Sequence, residues 1–272
     1  MQKTISRDGT PIAFDRIGAG PALIVVDGAL CYRAQGPSGP MAAQLSRHFT
    51  VFTYDRRGRG DSGNGSTYAI EREIEDIEAL IREAGGTAFV YGVSSGAALA
   101  LEAGHRGLPI TKLVLYEAPF VVDDTRRPIP TDFLAQLNTA LASGNRGRAV
   151  KLFMGLVGVP ALFVAMMRLL PVWSKLTAVA HTLPHDILLV KDHERGEPLC
   201  RTRWAGATMP TLVMDGGKSP AWMRNAMRAL AEVLPNATYR TLPGQTHIIK
   251  AGAHVVPLVE FLGNPAIRPS QI

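Results

Sequence analysis

Two hydrophobic patterns alternate along this chain. Short β-branched and aromatic runs recur at Ala22–Asp27 (ALIVVD), Phe49–Asp55 (FTVFTYD), Ala88–Val93 (AFVYGV), Ile110–Tyr116 (ITKLVLY), Thr211–Asp215 and Thr238–Leu242. The nearly continuous apolarity of the first two predicts strands buried on both faces, and the others read as further strands. Between them lie segments with helical spacing. Ala69–Ala84 carries Ile70, Ile74, Ile77 and Ile81 on one face and stops at Gly85-Gly86. Met41–Arg47, the Ala-rich Ser95–Ala103, Ala221–Leu234 and Val255–Leu262 read as further helices. Thr4–Ser6 and Ile12–Asp15, flanking Asp8-Gly9, predict an N-terminal hairpin.

Strand–helix alternation predicts an α/β fold, a mostly parallel sheet with helices on both faces. The alternation breaks after Pro119. From Phe120 to Ala207 the chain is rich in Leu, Met and Phe, with no convincing strand. The expected organisation is therefore a core of residues 1–119 and 208–272, with 120–207 inserted as a helical cap.

Composition narrows the function classes. The 272 residues are 46% hydrophobic and 19% charged, as in a single large domain with a sizeable core. Net charge is +6, without a concentrated basic stripe carrying aromatic platforms, so no nucleic-acid partner is expected. The N-terminus has no apolar h-region or small-residue cleavage site. The uncharged stretch Leu152–Met167 is short and holds Gly155, Gly158 and Pro160. No membrane span is expected. Cys31 and Cys200 cannot build a disulfide framework or a four-ligand zinc site, and free thiols fit a cytoplasmic location. The chain has no P-loop, no G-x-G-x-x-G after a strand and no histidine pair with zinc spacing, so no cofactor or metal is implied.

Chemistry concentrates at Gly92-Val93-Ser94-Ser95-Gly96, a G-x-S-x-G sequence between a predicted strand and a predicted helix. In that context the serine occupies a sharp, strained turn, and the glycines admit close backbone approach. A serine hydroxyl needs a base near neutral pH. His247, in Gly244-Gln245-Thr246-His247, follows the last predicted strand at the same edge of the sheet as Ser94; the other six histidines lie in helices, in the insertion or at strand starts. Developing negative charge on an acyl oxygen needs N–H donors, and the Ser95 amide with that of Gly28 or Ala29 are the candidates.

The ordered set resembles the α/β-hydrolase fold family over nearly the whole chain. It comprises the hairpin, Asp27-Gly28 after the first central strand, Asp55-Arg56-Arg57-Gly58-Arg59-Gly60-Asp61-Ser62, the Ser94 elbow, the insertion and Gly-x-x-His247. The resemblance implies a serine hydrolase with a Ser–acid–His triad. The family usually supplies the acid after the strand that follows the insertion, as G-x-x-D. Here that stretch reads Asp215-Gly216-Gly217-Lys218-Ser219 and places Ser219 at the acid position. A minority supplies it after the preceding strand, where this chain has Glu117 in Tyr116-Glu117-Ala118-Pro119. Glu117 is the expected acid and Asp215 the alternative. Where many relatives have His-Gly, this chain has Asp27-Gly28.

Within the family, Asp27-Gly28, Ser94-Ser95-Gly96-Ala97, Glu117 with Pro119, and Pro171-Val172-Trp173 followed by Thr182-Leu183-Pro184 look like the zearalenone lactonases. That likeness implies Trp173 as a substrate-binding residue. Phe153, Met154, Leu156, Phe163, Met166 and Met167 would join it in an apolar underside facing Ser94. The expected activity is hydrolysis of an ester or lactone with an apolar acyl or aromatic part. Carbon–carbon bond hydrolysis and hydroxynitrile lysis use the same residues, and a non-catalytic small-molecule binding protein is the rival from another class. The run Phe153–Met167 is also a candidate homo-oligomer contact.

Overall fold

A computed structural model describes residues 1–65 and 67–263. It contains one sheet whose eight strands run β1 (Gln2–Ile5), β2 (Pro11–Ile17), β3 (Ala22–Val26), β4 (Thr50–Tyr54), β5 (Ala88–Val93), β6 (Ile110–Tyr116), β7 (Thr211–Gly216) and β8 (Ala237–Leu242) along the chain. Their spatial order is β1-β2-β4-β3-β5-β6-β7-β8. β1 and β2 form the expected hairpin and join β4 antiparallel, while every pairing from β4 to β8 is parallel. This is the mostly parallel α/β sheet that the alternation predicted, in the architecture that the α/β-hydrolase resemblance implied.

The strand pleat explains the two cores. Leu23 and Val25 of β3 face one layer, which buries Met41, Ala42 and Leu45 of α1 (Ser38–Leu45) with Leu258 and Leu262 of the last helix. Ile24 and Val26 face the other, which buries Ile74, Ile77, Leu80 and Ile81 of α2 (Ile70–Glu83) and the alanines of α3 (Ser95–His105). A strand apolar on both sides is therefore covered by helices on both sides. The helical face read at Ile74, Ile77 and Ile81 is the buried one. Two further residues of α2, Glu73 and Asp76, are also buried because Arg56 and Arg57 pair with them. The predicted helix over Met41–Arg47 begins three residues earlier, and the last one begins four residues earlier, at Ala251.

Between β6 and β7 the described residues form α4 (Phe133–Ala142), α5 (Arg146–Leu156), α6 (Ala161–Met167), α7 (Val172–Ala178) and α8 (Leu183–Val190), with no strand. Phe133, Leu137, Val150, Leu176 and Leu183 make a third core, against which Ala29 and Tyr32 of the loop after β3 also pack. Leu30 of that loop lies inside it with φ +62°. After β7 come α9 (Ala221–Val233) and, beyond β8, α10 (Ala251–Gly263). Among the described residues no single helix is long and apolar enough to cross a membrane.

Candidate active site

Ser94 stands between the end of β5 and the start of α3 with φ +56° and ψ −128°, strained for a residue bearing a Cβ. The flanking glycines are steric necessities. A Cβ on Gly92 would lie 2.5 Å from the Gly96 carbonyl oxygen and 2.6 Å from Cα of Ala97. One on Gly96 would strike the Val26 carbonyl oxygen and come within 2.6 Å of that of Asp27. No side chain fits at either position, so the spacing of the motif reads directly as packing.

Parallel register then sets the neighbours. Val93 pairs with Tyr116, and Tyr116 with Met214. The ladder continues past the strand ends, with the Ser94 amide donating to the Tyr116 carbonyl at 2.9 Å and the Glu117 amide to that of Met214 at 3.2 Å. Ser94, Glu117 and Asp215 therefore line up along the carboxyl edge of the sheet, where open α/β sheets present their ligand crevice. Glu117 leaves its strand with φ +48° and is wholly buried.

The Glu117 carboxylate is fully engaged. Oε1 accepts the Gly216 amide at 2.7 Å, and Oε2 lies 2.8 Å from Nδ1 of His247. His247 meets the carboxylate through Nδ1 and remains 37% exposed. Its loop is tied down by Tyr116, whose hydroxyl donates to the Thr246 carbonyl at 2.7 Å. Asp215 turns elsewhere. It is buried within β7, and its Oδ2 accepts the hydroxyl of Tyr239 on β8. Ser219, at the usual acid position, is buried with its hydroxyl unpartnered. Among the described residues, Ser94 Oγ makes no hydrogen bond with His247.

The loop after β3 runs against the serine, since a Cβ on Gly28 would lie 2.9 Å from Ser94 Cβ. Among the described residues, the amides of Gly28, Ala29 and Ser95 have no acceptor, and Ser95 occupies the first turn of α3, where such N–H groups are free. Asp27 is buried, and among the described residues neither of its carboxylate oxygens is hydrogen-bonded. Burial pushes its carboxyl up to about 6, although the nearby Ser38 hydroxyl and the Arg59 and Arg56 charges pull the other way. The same burial, with the Asp27 charge, pushes the Cys31 thiol up to about 12, far from a reactive thiolate.

Trp173 is placed differently from the rest. It lines a cavity of about 250 Å³ with Asn145, Gly147, Arg148, Lys151 and Arg168, and none of Ser94, Glu117 or His247 borders that cavity. Of the apolar residues expected beneath the insertion, Phe153, Met154, Leu156 and Met167 pack with Trp173 against the third core, whereas Phe163 and Met166 are exposed.

Sequence reasoning did not find the buried ion cluster beside Ser94. Arg56, Arg57 and Arg59 look like a surface charge run, yet all three are buried. Arg56 holds Glu73 through two hydrogen bonds of 2.6 and 2.7 Å, and Arg57 holds Asp76 at 2.8 and 2.7 Å. Arg56 and Arg59 share Asp186 of α8. The available signal was Asp186 itself, a carboxylate inside the apolar run Leu183–Val190 that burial would require a cation to match.

An eight-stranded sheet of this order, with a strained serine elbow and a carboxylate–imidazole pair at its carboxyl edge, defines the class. The chain belongs to the alpha/beta hydrolase family, whose model matches residues 18–261. It is 51% identical to an alpha/beta hydrolase from Sphaerobacter thermophilus over 96% of this chain and all of that one, with a TM-score of 0.89. The enol-lactonase of Burkholderia xenovorans shares the fold at 21% identity, over 97% of this chain and all of that one, with a TM-score of 0.71. An esterase from a Rhodococcus species does so at 16% identity, over 97% and 99% of the two chains, with a TM-score of 0.67.

Proposed function

We propose that this protein is a serine hydrolase that cleaves carboxylic esters or lactones with an apolar acyl or aromatic part. Ser94 Oγ attacks the carbonyl carbon while His247 takes the hydroxyl proton and then delivers it to the leaving alkoxide. Glu117 accepts from Nδ1, which leaves Nε2 as the working nitrogen, and its negative charge favours the imidazolium formed during attack. The oxyanion lies between the Ser95 amide and that of Gly28 or Ala29, all free of other acceptors among the described residues. Water activated by His247 then releases the acyl group. Attack requires Nε2 to come within hydrogen-bond reach of Ser94 Oγ, a contact that characteristically tightens once substrate is in place.

The observation that carries this reading is the 2.8 Å Glu117–His247 pair beside a serine at φ +56°. A strained φ and a wholly buried carboxylate are costly, and both are accounted for by an activated nucleophile. A binding protein that only retained the fold would gain nothing from either. The lactone half of the proposal rests on the lactonase-like motifs around Ser94 and Glu117 and on the enol-lactonase among the fold neighbours.

Burst kinetics with a p-nitrophenyl acyl ester test the reading. The wild type should release about one equivalent of p-nitrophenol before steady turnover and should be labelled by a fluorophosphonate. Ser94→Ala should show neither. Equal rates in both proteins, without labelling, would remove Ser94 as nucleophile and favour the binding-protein alternative. Ring opening of aromatic lactones, measured against open-chain esters of equal size, then decides between the two substrate classes.

A further inference from the structure

One buried carboxylate is linked to both backbone segments that flank Ser94, to one through the Ser95 hydroxyl and to the other through two arginines. Asp186 lies on α8, within the helices inserted between β6 and β7, and is 2% exposed. Its Oδ1 accepts from the Ser95 hydroxyl at 2.7 Å and from Arg56 Nη1 at 2.7 Å. Its Oδ2 accepts from Arg59 Nη2 at 2.7 Å. Both guanidinium groups then reach the loop after β3. Arg59 Nη1 donates to the Gly28 carbonyl at 2.6 Å and to that of Cys31 at 3.1 Å, and Arg56 Nη1 donates to the Asp27 carbonyl at 3.3 Å. Glu73 takes the other edge of Arg56, and Thr182 accepts from Arg59 Nε. Two cations and two carboxylates thus neutralise one another out of water.

Burying four charges is an inefficient route to stability, because apolar residues of similar volume would serve at least as well. The cluster does supply orientation. A trans peptide unit points its C=O and the following N–H in opposite directions. Holding the Gly28 carbonyl on Arg59 therefore turns the Ala29 N–H away from the cluster, and holding the Asp27 carbonyl on Arg56 does the same for the Gly28 N–H. The Ser95 hydroxyl, on the residue that carries the third free amide, is clamped by the same carboxylate.

We propose that Asp186 is a positioning residue for the Ser94 site: through Arg59, Arg56 and the Ser95 hydroxyl it sets the two backbone segments whose amides receive the oxyanion. Because α8 belongs to the inserted helices, the donor geometry is complete only when those helices are docked on the core. This inference rests on the serine-hydrolase reading and assigns the insertion a part in the chemical step itself.

The test compares wild type, Asp186→Asn, Ser95→Ala and Asp76→Asn below their melting temperatures. Asp76 pairs with Arg57 in the same loop, is equally buried and touches neither segment, so it reports the cost of breaking a buried ion pair alone. With a p-nitrophenyl ester, Asp186→Asn should lose about 10- to 100-fold in kcat, with KM changing less than about 3-fold. Ser95→Ala should lose several-fold in kcat in the same pattern. A trifluoromethyl ketone, which forms a tetrahedral oxyanion on the serine, should bind more weakly to both variants by factors matching the kcat losses. Asp76→Asn should keep wild-type kcat and ketone affinity.

Should Asp186→Asn not fold, Ser95→Ala, which deletes only a hydroxyl, carries the test. Wild-type kcat and ketone affinity in a folded Asp186→Asn, or in Ser95→Ala where that variant alone folds, would overturn the proposal. So would losses no larger than those of Asp76→Asn. A wild-type protein that neither turns over the ester nor is labelled by a fluorophosphonate would instead overturn the hydrolase reading beneath it.

Discussion

Glu117 Oε2 and His247 Nδ1 lie 2.8 Å apart although 130 residues separate them in the chain. Parallel register places Glu117 beside Ser94, and the positive φ of Glu117 re-aims its side chain as the strand ends. The Gly216 amide saturates the second carboxylate oxygen, so the group cannot rotate away from the imidazole without abandoning a buried donor. Asp215, one strand further along the sheet, instead spends its carboxylate on Tyr239.

The two acids should therefore respond oppositely to amide substitution. Glu117→Gln keeps the shape but removes the charge and presents a donor or a weaker acceptor to Nδ1. It should lower kcat on the order of 10³-fold with little change in KM. Asp215→Asn should change kcat by less than about 3-fold. Steady-state kinetics on both variants decide it, and the reverse ranking would move the acid to Asp215.

Much of this was legible because the information was local. Gly92 and Gly96 are spaced by the steric demands of one turn, and the β-branched runs mark strands covered on both faces. Glu117 stood out as a carboxylate at the end of the apolar run Ile110–Tyr116, and the His247 loop follows the last strand of the sheet. What the sequence hid depends on contacts between distant segments. Arg56, Arg57 and Arg59 look solvated in a one-dimensional reading, and only folding brings Glu73, Asp76 and Asp186 to them. The position of Trp173 depends on how α5, α6 and α7 pack together, which hydrophobic periodicity does not encode.

The elbow glycines make a stability prediction with an internal control. Gly107 has φ +81° but open space around its missing Cβ, so Gly107→Ala pays only for conformation, about 1–2 kcal/mol. Gly96→Ala must also displace the backbone carbonyls of Val26 and Asp27 and should cost more than about 3 kcal/mol. Thermal melts should therefore show a modest fall in Tm for Gly107→Ala, and a large fall or loss of soluble protein for Gly96→Ala. Similar Tm values would mean that the β3–α3 approach is looser than this packing.

Acid sensitivity should trace in part to His254. This residue of α10 is buried, with Nδ1 2.9 Å from the Tyr91 hydroxyl and Nε2 unpartnered. Burial pushes its pKa down to about 4, even though the Glu117 charge favours the imidazolium. An unfolded histidine takes up a proton near pH 6.5, so between about pH 6.5 and 4 the unfolded chain binds a proton that the folded chain refuses. Stability is therefore lost as pH falls through that window, by up to roughly 3 kcal/mol from this group. His185, whose pKa burial also lowers to about 4, adds a loss of the same sign. His254→Gln, which keeps an acceptor for Tyr91, should flatten the acid limb of stability measured by urea denaturation, and an unchanged limb would remove His254 as a contributor.

Asp27 carries the opposite sign. Its folded pKa of about 6 stands above the usual carboxylate value of 3.8, because burial outweighs Ser38, Arg59 and Arg56. As pH rises from about 4 to 6, the unfolded chain has released this proton while the folded chain still retains it, so stability declines across that interval and levels off above it. Above pH 6 the fold holds a buried anion in the residue before Gly28, with neither oxygen hydrogen-bonded among the described residues. Asp27→Asn stays neutral at every pH. Relative to wild type it should gain roughly 2–3 kcal/mol between pH 4 and pH 7.5, whatever its offset at pH 4. Urea denaturation of both proteins at pH 4, 5.5 and 7.5 checks this, and a difference independent of pH would mean that Asp27 ionises as an ordinary carboxylate. The same variant removes a negative charge next to the oxyanion site, so the kcat of wild type should fall relative to that of Asp27→Asn as pH rises through 6.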